Sequence, residues 1–189
     1  MPAVTDAPDP VAPLSARELA ALRRLLDRQG VVDCVTRYAR GVDRADGELL
    51  ASAYHPDARE DHGAYVGGLE GLLGFLSAAH APFAGYQRYV TNHSVDIDGD
   101  EAHAETYYLC VLRTGEGDEA GSGKLVLNGG RYVDRLARRD GGWAILRRVV
   151  VGEWEATLDG GAPRHPTNAR ARRDRDDVSY RRPLDVPTE

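Results

Sequence analysis

Hydrophobic positions recur along this chain with two different periods. Leu19, Leu22, Leu25 and Leu26 stand at helical spacing, as do Val31, Cys34, Val35, Tyr38 and Val42 after Gly30. Two helical stretches are therefore predicted, divided at Gly30 and running out near Gly41-Val42-Asp43. Ser15-Ala-Arg-Glu18 opens the first as a capping box, in which serine side chain and glutamate each satisfy the other's free backbone N–H. A short helix is expected over Gly47–Tyr54, ending before His55-Pro56, and a glycine-softened one over Leu69–Ala79. The period then falls to two. Ala58–His62 and Ala64–Val66 read as short strands, and Tyr86–Ile97, Glu101–Arg113, Lys124–Arg138 and Trp143–Glu155 as long ones. Asp98-Gly99-Asp100 and Asp140-Gly141-Gly142 mark two hairpin turns. Helices first and a curved, mostly antiparallel sheet afterwards make an α+β domain. Long twisted strands wrapped about a helix form a cone, whose open end is a natural pocket.

Three segments fall outside this pattern. Residues 1–14 carry four prolines and no periodicity, and read as a disordered arm before a domain spanning 15–155. Thr114–Gly123 is rich in glycine and acid, a mobile loop and candidate lid. Residues 156–189 form an arginine-rich tail, with seven arginines and three aspartates between Arg164 and Arg182. That tail is either a solvated segment or an arm that docks on the acidic body or on a second subunit, with Tyr180 as an aromatic anchor.

Composition narrows the function classes. A formal charge of −6 argues against a nucleic-acid partner bound through phosphates. No window is apolar enough to span a membrane, and the start lacks the basic and apolar regions of a secretory signal, so a cytoplasmic protein is expected. Cys34 and Cys110, both among apolar neighbours, read as buried thiols. Gly67-Gly-Leu-Glu-Gly71 lacks the lysine and the context of a phosphate loop, and histidines and carboxylates are not clustered at metal-ligand spacing. No metal and no cofactor are therefore expected.

Four motifs, Tyr38-Ala-Arg-Gly-Val-Asp43, Tyr54-His-Pro-Asp57-Ala, Thr91-Asn92 before Asp98-Gly-Asp100, and Gly130-Arg-Tyr-Val-Asp134 before Arg139-Asp-Gly-Gly-Trp143, occur in this order. Together they resemble the SnoaL-like polyketide cyclase/dehydratase family, over roughly residues 15–154. The resemblance implies the cone-shaped α+β barrel of nuclear transport factor 2, a homodimer formed through the sheet, and cofactor-free acid/base chemistry. Asp43 matches the aspartate used by dehydratases and dehydrochlorinases of that superfamily, Tyr38 a tyrosine some members place five residues earlier, and Arg148 their basic residue on the last strand. The histidine that serves them as general base is replaced by Arg88. Arginine keeps its proton, so Arg88 cannot take that role and is expected to pair with Asp43.

The candidate replacement bases are His62, at the end of a short strand, and His93, which strict alternation turns away from Arg88, Val90 and Asn92 unless a bulge intervenes. His55, His80 and His103 read as structural. On the last strand Ala144, Leu146, Arg148, Val150, Gly152 and Trp154 share the expected pocket face, and Trp143, Ile145, Arg147, Val149 and Val151 the outer one. Asn92, Val150 and Trp154, with Tyr54, Tyr107 and Tyr132 from the aromatic set, are the candidate substrate contacts. The expected reaction is cyclisation, or alternatively dehydration, of a small apolar oxygenated molecule of polyketide or terpenoid type. Asp43 would be base or base-orienter, Tyr38 a proton donor, and Arg88 and Arg148 oxyanion stabilisers. The rival is a non-catalytic ligand-binding or dimerisation module of the same fold.

Overall fold

A computed structural model describes residues 13–114, 123–160, 169 and 171–184. Most of the expected N-terminal arm (residues 1–12) and of the candidate lid (115–122) lie outside the described residues. The elements are α1 (Ala16–Asp43), α2 (Gly47–Ala51), β1 (Tyr54–Asp61), β2 (Val66–Gly68), α3 (Leu69–His80), β3 (Phe83–Asp98), β4 (Glu101–Thr114), β5 (Lys124–Arg139), β6 (Gly142–Asp159) and a 3₁₀ turn (Val178–Tyr180). The strands form one curved, unclosed sheet in the order β2-β1-β6-β5-β4-β3, antiparallel except where β1 meets β6. No helix is long and apolar enough to cross a membrane.

The capping box at Ser15 forms as expected, with Glu18 Oε2 accepting from the Ser15 amide at 2.8 Å. Gly30 does not divide the helix. An added Cβ there would come within 2.7 Å of Trp143 Cδ1, so glycine serves a close helix–sheet approach. Beyond that crossing Val31, Cys34, Val35, Tyr38 and Val42 are buried against Leu72 of α3 and Leu136 and Ile145 of the sheet. Before it Leu19, Leu22, Leu25 and Leu26 are exposed.

Three bulges decide which side chains reach the inside. On β3, Thr91 pairs with Tyr107 and His93 with Thr106, so Asn92 is the extra residue, at φ +23°. The bulge turns His93 to the side of Arg88 and Val90, reversing the orientation that alternation predicts. On β6, Arg147 pairs with Arg135 but Ile145 with Leu136, leaving Leu146 extra. Trp143 and Ile145 therefore sit in the core on the same side as Arg148 and Val150, which corrects the expected outer placement of those two. A further shift at Glu153 precedes Trp154, which is half exposed and lies against Gly129. Gly129 alternates with the inward Gly130 and Tyr132, so Trp154 belongs to the convex face.

The C-terminal segment docks on the body. Tyr180 donates to Asp46 at 2.8 Å and lies 5.0 Å beneath the Arg40 guanidinium, while Arg175 reaches Asp46 and Glu48 at 3.2 and 2.8 Å. Asp177 is buried, caps the 3₁₀ turn through the Ser179 amide, and faces Arg44 at 3.5 Å.

Candidate active site

Strand alternation carries one set of side chains into the concave face: Tyr86 and Arg88 from β3, Tyr108 and Cys110 from β4, Tyr132 and Asp134 from β5, Arg148 from β6, and Glu60 from β1. Tyr38 and Asp43 approach from the last turns of α1.

Arg148 is the anchor of the set. It is 1% exposed, and its Nε and Nη2 each meet an Asp134 carboxylate oxygen at 2.7 Å. The guanidinium lies 4.2 Å over the Tyr38 ring, 4.3 Å over Tyr132 and 5.9 Å over Tyr54. A buried charge of this kind is tolerable only when paired on this scale. Burial works against the cation, but Asp134 and its hydrogen bonds override it and hold the proton firmly. With both donors of its side edge committed, Arg148 positions tyrosines and carboxylates rather than presenting a free cation.

Arg88 and Asp43 form the expected pair. Asp43 accepts from the Arg88 amide at 2.9 Å and from its guanidinium at 3.2 Å. Arg88 Nε is buried and makes no hydrogen bond among the described residues, and the same holds for the Tyr38 hydroxyl. Unmet donors at this depth cost about 1–3 kcal/mol each, and such orphans are where a ligand or water finds partners. Burial, reinforced by the Glu60 charge, raises the Tyr38 phenol to about 12, so it remains a donor at working pH.

His62 lies just past β1 and meets Glu60 Oε1 with Nδ1 at 2.6 Å. Glu60 also accepts a hydrogen bond from the Tyr54 hydroxyl. Burial alone would raise the Glu60 carboxyl, but the His62 hydrogen bond and the Arg148 charge hold it below its ordinary value. Glu60 is thus a carboxylate in place, and in the neutral tautomer whose Nδ1–H donates to it the lone pair lies on His62 Nε2. His62 packs edge-on to Phe75, which stacks on Tyr65.

His80, at the end of α3, lies edge-on to Tyr86 at 4.8 Å, and its backbone carbonyl accepts from the Tyr86 hydroxyl. Burial and then the charges of Arg88, Arg173 and His62 press its imidazole down to about 3, so it is neutral.

Of the twelve residues predicted from sequence, the interior brings together Tyr38, Asp43, Tyr54, His62, Arg88, Tyr132 and Arg148. Val150 is partly buried against the core. His93 points inward but bonds Thr106 Oγ1 at 2.9 Å, and its carbonyl accepts from Arg28. Arg28 precedes Asp43 by fifteen residues, about 22 Å along the helix. Asn92 occupies the bulge. Tyr107 lies outside against Arg131, on the convex face with Trp154. Sequence reasoning missed Glu60, Asp134 and His80. The Glu60-Asp61-His62 spacing, which puts two chemical groups on one side of an extended segment, was the available signal for the first.

An open groove of about 710 Å³ lies at the rim, lined by Arg44–Glu48, Ala51, Leu73, Asp174 and Arg175. None of the twelve lines it. Among the described residues no group of three or more His, Cys, Asp or Glu side chains is arranged to hold a metal ion.

The model of the SnoaL-like domain matches residues 23–149. The chain belongs to the SnoaL-like family. Solved structures of the same cone include LinA, at 25% identity and TM-score 0.67 over 77% of this chain and 99% of that one. A hexachlorocyclohexane dehydrochlorinase (LinA) type 2 aligns at 24% identity and TM-score 0.66, over 78% and 99% of the two chains. A protein from Novosphingobium aromaticivorans provisionally named a scytalone dehydratase aligns at 18% identity and TM-score 0.61, over 77% and 97%. No curated protein matches the sequence. The SnoaL-like match ends at residue 149, so the docked C-terminal segment lies beyond it.

Proposed function

We propose that this SnoaL-like protein is a cofactor-independent acid/base enzyme that cyclises, or alternatively dehydrates, a small, largely apolar oxygenated molecule of polyketide or terpenoid type. The observation that carries the reading is the buried Glu60 carboxylate held 2.6 Å from His62 Nδ1, together with two buried donors that make no hydrogen bond among the described residues, Tyr38 Oη and Arg88 Nε.

In this reading His62 Nε2 removes the proton and Glu60 orients and charge-balances the ring. Arg88, pinned by Asp43, and the Tyr38 hydroxyl stabilise the oxygen on which negative charge develops. Asp43 is then a positioning residue rather than the base. Arg148 holds Tyr38, Tyr132 and Glu60 in place. Cyclisation suits this set, since it asks for an aimed hydroxyl and a polarised electrophile. Dehydration would use the same base, with Tyr38 protonating the departing hydroxyl.

The names of the structural relatives, a dehydrochlorinase and a provisional dehydratase, support proton-transfer chemistry on this fold. A cytoplasmic homodimer is part of the proposal, with the convex face, where Tyr107, Val149 and Trp154 are exposed, as the contact.

The test is accurate-mass metabolite comparison of the native host with a strain carrying His62→Gln. A compound isomeric with the lost product marks a cyclase, and one heavier by a single water marks a dehydratase. Unchanged metabolites, with the variant folded and expressed, would favour the non-catalytic module, to which the Arg88–Asp43 bridge lends its support.

A further inference from the structure

We propose that the C-terminal segment completes this site, Arg173 joining Arg88 to form a two-guanidinium subsite for a carboxylate group on the substrate. The inference deepens the reading of the cone interior as a substrate site and rests on it.

Tyr86 and Arg88 are two residues apart on the inner face of β3, so their side chains stand next to each other. The Arg173 guanidinium lies 4.1 Å over the Tyr86 ring. A segment distant in sequence thereby brings a second guanidinium onto Tyr86, the inner-face neighbour of Arg88. The charges of both arginines bear on the His80 imidazole and the Tyr86 phenol.

The two cations share an unusual feature. Arg88 Nε and Arg173 Nε are both buried, and neither makes a hydrogen bond among the described residues. The flanking arginines differ. Arg172 pairs with Asp174 and Asp176, and Arg175 with Asp46 and Glu48. Among the described residues Arg173 meets no carboxylate, and Arg88 meets only that of Asp43. His80 is neutral there, so it adds a possible hydrogen-bonding ring and no charge. Among the described residues, two cations stand against one carboxylate in this corner.

The chemistry selects the ligand. Guanidinium edges match the two oxygens of a carboxylate, and such charge-assisted bonds are strongest where water is excluded. The Tyr86 and Phe83 rings, 6.1 Å apart, give an apolar wall beside it. A carboxylate bound here would anchor one end of an otherwise apolar substrate and leave its other end toward His62 and Tyr38. The segment is held in register for this by Tyr180 on Asp46 and by Asp177 facing Arg44.

The test is calorimetric titration of the full chain with benzoate and acetate, each against its uncharged isostere, benzamide and acetamide. At least one carboxylate is expected to bind at least tenfold more tightly than its amide. Arg173→Gln should weaken that carboxylate at least tenfold, Arg173→Lys by less, and Arg172→Gln not measurably. Hydrogen exchange of residues 177–180 in each variant checks that the segment stays docked. Carboxylates that bind no better than amides, no binding by any probe, or an Arg173→Gln variant that binds like the wild type with the segment docked would each overturn the subsite. Equilibrium binding reads this proposal without turnover, and the His62→Gln metabolite comparison reads the catalytic one without added carboxylate, so the two can fail separately.

Discussion

Glu60 and His62 stand two residues apart where β1 ends, and the Nδ1–Oε1 distance of 2.6 Å makes them a carboxylate–histidine pair. The pair unites a buried carboxylate and an imidazole across three consecutive residues at the end of β1. His62 is thus a candidate base that stands apart from the Arg88–Asp43 ion pair.

Removing the base should cost far more than removing its orienter. His62→Gln is expected to lower turnover by about 10²–10⁴-fold, the usual worth of a positioned general base. Glu60→Gln should act less, and it should also shift the acid limb of the pH–rate profile, which a purely structural glutamate would not do. Steady-state kinetics on the compound accumulated by the His62→Gln strain measures both.

The buried Arg148–Asp134 pair should prove structural by its energetics. Asp134→Asn leaves an uncompensated cation in the core and should destabilise by about 3–5 kcal/mol, whereas the double change Asp134→Leu with Arg148→Met should recover most of that. Urea unfolding of the single and double variants decides the matter. Failure of the double change to recover would place the value of the pair in the tyrosines it holds.

Acid should weaken the fold through His80. Its folded value of about 3 lies below the ordinary 6.5, so between those limits the unfolded chain binds the extra proton. Stability is full above about 6.5 and falls as pH drops toward 3, by on the order of 1 kcal/mol per pH unit. His80→Gln should flatten that slope in urea midpoints measured from pH 7 to pH 4.

The docked segment should release at lower pH still. Burial would raise Asp177, but hydrogen bonds from Ser179 and the Arg172 amide, with the Arg44 charge, bring it down to about 2. Its contribution is whole above the ordinary carboxylate value near 4 and is lost as pH falls toward 2. Hydrogen exchange of residues 171–184 should rise across that window, and Asp177→Asn should raise it at neutral pH.

Gly30→Ala tests the helix crossing. Alanine improves helix propensity by about 1 kcal/mol, but the added carbon meets a Trp143 ring held by the Asp27 carboxylate through its Nε1 at 3.2 Å. Overpacking of about 1–3 kcal/mol should win, and the variant should unfold at lower urea concentration.

Local chemistry was legible in the sequence. The capping box, the two glycine turns and the change of period from 3.6 to 2 located the helices and the four long strands, because each depends on neighbours within a few residues. Gly99 at φ +59° and Gly141 at +80° stand at the turn positions their dipeptides announced. The Asp43–Arg88 pair was legible too, since the resemblance supplied the alignment of helix and strand.

What only the tertiary structure decided is which side each residue faces and what it meets there. Side-chain direction in a strand is a running count, and one extra residue at Asn92, Leu146 or Glu153 inverts everything beyond it. Those bulges follow from how neighbouring strands register against each other. The same holds for Gly30, whose place was set by Trp143 more than a hundred residues away, and for Arg173, brought to Tyr86 by docking contacts between segments distant in the chain. Such contacts exist only once the sheet has curved around the helix, so no local pattern could encode them visibly.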